Sequence, residues 1–156
     1  MNKQKMKLIT IYSAILGAAL GLIGLIPFIY IYVFTAVIMS VISSIIVIIY
    51  MEQKKQIGEL TIKGGAILGA YIGFISMLSY GLINLPINAI LGLIFGYYTP
   101  AAGILSMWWF IVPMCGLVVG LFNSFSLIAY IYVKDTFFMI EGKKEVTLNF
   151  EKRNGR

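Results

Sequence analysis

A chain of 156 residues that is 60% hydrophobic, only 12% charged and of net charge +6 is unlike a soluble domain, in which about a quarter of residues are charged. From Leu8 to Met51, and again from Gly64 to Val133, there is no Asp, Glu, Lys, Arg or His. A soluble fold of this length must place many side chains in water, which excludes such stretches, whereas about 20 apolar residues of helix cross the hydrocarbon of a bilayer.

The runs are continuous, as in Ile45-Ile46-Val47-Ile48-Ile49, and do not alternate as barrel strands do. Only helices can satisfy their backbone groups in lipid. All 12 basic residues lie outside the two uncharged stretches. By the positive-inside rule the N-terminus, the central link and the C-terminus therefore face the cytoplasm. Each stretch then holds an even number of spans. The expected class is an all-α, polytopic transmembrane helical bundle of a cell membrane, with four spanning helices in one domain, residues 1–133.

In chain order, the first span runs from about Lys7 to Leu25. Lys3, Lys5 and Lys7 followed by Gly17-Ala18-Ala19 also fit a cleavable signal, but the segment has a sister copy later in the chain. Gly24 and Pro27 mark a turn, and the second span covers about Phe28 to Met51. A polar link from Glu52 to Glu59 leads to the third span, from about Leu60 to Ile83.

Its opening Gly65-Ala-Ile-Leu-Gly-Ala-Tyr-Ile-Gly-Phe-Ile-Ser76 matches Ser13-Ala-Ile-Leu-Gly-Ala-Ala-Leu-Gly-Leu-Ile-Gly24 at seven of twelve positions. Ser44 to Tyr50 likewise resembles Ser126 to Tyr132. The halves read as two hairpins in a parallel repeat about an axis along the membrane normal.

The second hairpin carries an uncharged insert, Pro86 to Val112, broken by Pro86, Pro100 and Pro113. Two short helices, Ile87 to Tyr98 and Ala101 to Val112, would make it re-entrant or interfacial, with Tyr97, Tyr98, Trp108 and Trp109 at headgroup level. The alternative, three tight spans between Pro86 and Val133 and six in all, leaves about 16 residues per span, below the usual range of about 17–25. The fourth span runs from Pro113 to Val133. Residues 134–156 form a short basic cytoplasmic tail, read as a surface anchor held by Lys143, Lys144, Lys152 and Arg153 near anionic lipid, or as a hairpin.

With no His and the single Cys115, no metal site is expected, and Cys115 packs as a small apolar residue. There is no phosphate loop and no carboxylate or lysine inside a span. No catalytic residue, no cofactor and no enzyme activity are expected, and no nucleic-acid partner. Glycines carry the strongest pattern. Gly17, Gly21 and Gly24 share a face of the first span, Gly65, Gly69 and Gly73 recur every fourth residue on the third, and Gly116 and Gly120 do so on the fourth. Such stripes let helix backbones approach closely. Those on the first and third spans would suit a contact between the two repeats.

Asn123 falls midway along the fourth span, where an amide must find a partner. It reads as a packing clamp or as a midplane polar site for a solute. Asn84 and Asn88 bracket Pro86 and would cap helix ends there.

The function expected is that of a non-catalytic membrane subunit or scaffold acting through glycine-stripe packing, with the bilayer and either further copies of itself or another membrane protein as partners. The alternative is a small pore or facilitator for neutral or small solutes. A third reading has the aromatic insert perturb the outer leaflet.

Overall fold

The computed structural model describes residues 3–26, 34–58, 60–95 and 108–154, and side chains of the last helix from Phe110 to Phe137. All the secondary structure described is helical. Helix α1 spans Lys3–Ile23. Helix α2 spans Phe34–Gln53 and contains a π-helical turn at Ile38–Ile42. Helix α3 spans Ile62–Phe95, and α4 runs from Trp108 to Asn154. Each is long and apolar enough to cross a membrane, α4 through its Phe110–Phe137 part.

Continuous apolar sequence accounts for the helices, but the prolines do not end them as expected. Pro86 lies inside α3 and Pro113 inside α4. Proline removes one backbone donor, a loss that helices in apolar surroundings tolerate when neighbouring groups satisfy the freed carbonyl. The third span therefore does not stop near Ile83 but continues to Phe95, and the segment from Trp108 to Val112 belongs to α4. The first part of the expected insert is thus helical extension. Tyr97, Tyr98 and Pro100 lie outside the described residues, as does the turn at Pro27 and Phe28. An unbroken α4 leaves no room for three spans between Pro86 and Val133. The tail is helical to Asn154, so it forms no hairpin.

Helix α3 carries the two largest interfaces, one with α4 and one with α1. Helix α2 packs across the bundle and touches the other three. The buried core sits toward the lysine-bearing end, where Ile9, Val47, Ile48, Met51, Leu68 and Leu127 meet. Side chains along α4 such as Leu117, Leu121 and Phe125 are more than half exposed. In water such a surface would aggregate; in a bilayer it faces its natural solvent. The chain has the architecture of a membrane protein.

At the lysine-bearing end the one ion pair among the described residues joins α2 to α4. Lys134 Nζ lies 2.7 Å from Glu52 Oε1, and the Tyr130 hydroxyl donates to Glu52 Oε2 at 3.2 Å. Lys54 sits over the Tyr50 ring, which meets the Tyr12 ring edge-on at a centroid distance of 5.0 Å.

Candidate functional site

Asn123 is the most heavily bonded side chain described, and it is fully buried. Helix α4 holds it against the π-helical turn of α2. Its Oδ1 accepts from the backbone N–H of Ser44 at 2.9 Å and from the Ser43 hydroxyl at 2.8 Å. Its Nδ2 donates to the carbonyl of Met39 at 2.7 Å, with the Ser40 carbonyl at 3.2 Å and Val119 of its own helix at 3.0 Å. The amide orientation is dictated by these partners: a backbone N–H can only donate and a carbonyl can only accept.

The carboxamide therefore stands in series with the backbone of α2, bridging an N–H and the carbonyls one turn before it. That is the place of a peptide group. The π turn makes room for it. The Ser43 N–H reaches back to Ile38, five residues earlier, which frees the Met39 carbonyl to accept from Asn123 and from the Ser43 hydroxyl at 3.0 Å. Side-chain insertion of this kind is a recognised cause of helix distortion. The Ser44 hydroxyl completes the clamp by donating to the backbone carbonyl of Asn123 at 3.1 Å.

The expected glycine stripes lie at close helix contacts, though the stripes of α1 and α3 do not face each other. On α1, a Cβ at Gly17 would strike the Ser76 backbone of α3, and one at Gly21 would lie 3.1 Å from the Tyr80 carbonyl oxygen. Gly24 faces the Tyr80 hydroxyl and Asn84. The stripe on α3 turns to α4 instead. A Cβ at Gly69 would come within 2.8 Å of the Ser124 Cα, and one at Gly73 within 2.9 Å of the Gly120 Cα. Gly65 abuts Ile131, Gly116 abuts Phe74, and Gly120 faces the Ala70 carbonyl. Helices α1 and α3 do meet, but across the glycines of α1 alone. Backbone approach of this kind brings hydroxyls within reach of neighbouring carbonyls: Ser76 donates to Ser13 O at 3.1 Å and Ser124 to Ala66 O at 2.6 Å.

Asn84 and Asn88 act differently from local caps. Asn88 Nδ2 donates to Asn84 Oδ1 at 2.9 Å, and Asn84 Nδ2 donates to the Gly21 carbonyl at 3.0 Å. Gly21 lies in the last turn of α1, where carbonyls lack intrahelical donors. Leu25 N–H, which would normally serve it, bonds Leu22 instead. The amide of α3 thus caps α1 from outside.

Cys115 is exposed on α4 and not packed inside the bundle. Among the described residues no group of His, Cys, Asp or Glu is placed to hold a metal ion. The π turn and its amide insertion were not foreseen from sequence; the signal available was Ser40, Ser43 and Ser44 one turn apart on the span facing Asn123. Comparison with known proteins gives no match. No family model matches the chain, and neither a curated protein nor a solved structure does.

Proposed function

We propose that the chain is a non-catalytic subunit or scaffold of a membrane assembly, with both ends on the cytoplasmic side of the cell membrane and its hairpins related as a parallel repeat. The observation that carries this reading is the occupation of the intramembrane polar groups. Asn123, Asn84, Ser43, Ser44, Ser76 and Ser13 all bond helix backbones or one another. Buried polar groups spent on helix-to-helix clamps hold a shape and are not free to relay protons or bind a solute.

The glycine stripes support a refined form of this idea. They bring helices of the same chain together, so association with another protein falls to the exposed face of α4, including Leu117, Leu121 and Phe125. Van der Waals packing on such a face can join apolar helices in lipid. The alternative, a small pore or facilitator for neutral or small solutes, loses the midplane amide as its solute site, since Asn123 is already saturated.

The test is native mass spectrometry of the protein extracted gently from its own membranes. A fixed stoichiometry with a second membrane protein, or a defined homo-oligomer, is expected, and Leu121→Trp should weaken it. A chain that leaves the membrane as a monomer and makes liposomes permeable to small neutral solutes would replace this reading with the pore.

A further inference from the structure

The half of the bundle away from the lysines contains a lateral cleft of about 690 Å³ between α2, α3 and α4. Its inner wall includes Thr35 and Met39, both buried, and its walls include Met77 and Met114. Its mouth is edged by Val37, Val118 and Cys115, which are exposed. We propose that this cleft is a binding site for one acyl chain of a membrane lipid.

Three features of the cleft select that occupant. The mouth lies within the apolar parts of α2 and α4, Phe34–Gln53 and Phe110–Phe137. It is therefore continuous with the lipid-facing surface, and the medium at its opening is hydrocarbon. Its lining is uncharged, and the Ser40 hydroxyl already donates to the Ala36 carbonyl at 2.7 Å. Behind that wall the Asn123 amide is closed off and fully buried. A ligand bearing charge or needing hydrogen bonds finds little here, whereas a hydrocarbon chain has no hydrogen bonds to lose on entry.

The shape gives the third argument. Along α4 the lining runs from Met114 to Val119 and along α2 from Thr35 to Ser40, a length of roughly 7.5 Å at 1.5 Å per residue. That is short for a packed partner helix, which needs several turns of contact, yet ample for a folded stretch of chain. Met39, Met77 and Met114 bring unbranched, adaptable thioethers to the walls, as suits a flexible ligand with no fixed shape. The floor is set by the π turn of α2, so the Asn123 clamp also shapes the cleft.

The cleft does not depend on the scaffold reading; a chain that forms no assembly would still bind lipid here. The test places the full-length protein in vesicles of phosphatidylcholine doped with a phosphatidylcholine carrying a diazirine on its acyl chain, followed by light and peptide mapping. Labelling at Met77 or between Met114 and Val119 is expected to saturate with probe. Labelling at the outward Ile15 and Ile90 should rise in proportion to it. Equal, non-saturating labelling at all these positions would overturn the proposal.

A second arm uses native mass spectrometry in mild detergent. Wild-type protein is expected to retain a phospholipid, Cys115→Phe to lower its occupancy by roughly tenfold, and Ile15→Phe, at an exposed position of α1, to leave it unchanged. Lipid-free wild-type protein, or equal retention by Cys115→Phe, would overturn it. If Cys115→Phe fails to fold, the labelling arm on wild-type protein decides alone.

Discussion

The side-chain amide of Asn123 in α4 is bonded into the backbone of α2, where its Oδ1 receives the Ser44 N–H at 2.9 Å. One residue thereby ties the fourth span to the second near the middle of both. The π turn at Ile38–Ile42 and the amide are two parts of one device. The turn leaves the Ser44 N–H to the amide oxygen, and the Met39 carbonyl is shared between the amide and the Ser43 hydroxyl.

The first prediction concerns that device. Asn123→Leu leaves the Ser44 N–H facing a side chain that cannot accept, while the Met39 carbonyl keeps the Ser43 hydroxyl as a donor at 3.0 Å. Interhelical hydrogen bonds in membranes average about 0.6 kcal/mol, but a buried group left unpaired costs about 1–3 kcal/mol. Since the Ser44 N–H is orphaned and the other bonds of the amide to α2 are lost with it, the higher figure should govern, and Asn123→Leu should destabilise by about 2 kcal/mol. Ser44→Ala, which removes only the bond to the Asn123 carbonyl, should cost well under half as much. Equilibrium unfolding in micelles followed by near-UV circular dichroism checks the order; equal losses would refute it.

Glycine contacts give a second, graded prediction. At Gly69 an added Cβ would meet the Asn123 carbonyl oxygen at 2.5 Å, and backbone cannot move aside as a flexible side-chain end can. Gly69→Ala should push α3 from α4 and cost about 1–3 kcal/mol, while Gly69→Leu should lower abundance by unfolding the chain itself. Gly58, in the link before α3, has nothing within 4 Å of a built Cβ. Gly58→Ala should be neutral. Melting temperature and membrane abundance of the three variants, measured together, provide the comparison.

Capping across helices is testable locally. Asn84 serves the Gly21 carbonyl at 3.0 Å, so Asn84→Leu should loosen the last turn of α1 and little else. Loss of a bond worth about 1 kcal/mol corresponds to roughly fivefold faster opening. Hydrogen exchange over Gly24 to Ile26 should show this increase, with the middle of α1 unchanged. A uniform increase along α1 would mean instead that Asn84 holds the whole α1–α3 interface.

A fourth prediction addresses the ion pair. Glu52 and Lys134 side chains are 23% and 35% exposed, so water and salt screen them. A double-mutant cycle with Glu52→Gln and Lys134→Met should give a coupling of about 0.5–1 kcal/mol that shrinks in high salt. A coupling several times larger and insensitive to salt would show that the pair is effectively buried under headgroups.

Much of the architecture was legible in the residues because a bilayer imposes a simple demand. A backbone in hydrocarbon must coil, and charges must stay out, so the uncharged stretches and the lysines between them marked four apolar helices. Glycine every fourth residue likewise announced close helix contacts. Pro86 and Pro113 were not legible in this way, because helices in apolar surroundings run through a missing donor that would end or kink many helices in water.

Which surfaces meet was decided by tertiary structure alone. Periodicity places Gly65, Gly69 and Gly73 on one face of α3, but cannot say whether α1 or α4 lies against it, because any helix offering small residues would fit. Asn123 shows the same division. Its position in an apolar span implied a partner, since an amide in hydrocarbon must be paired. That the partner is an opened turn of α2 depends on two helices meeting at one level, and no local sequence signal encodes that level. Composition and charge order sufficed for the helices and the membrane; the pairing of faces, the π turn and the cleft beside it arise only when the four helices pack.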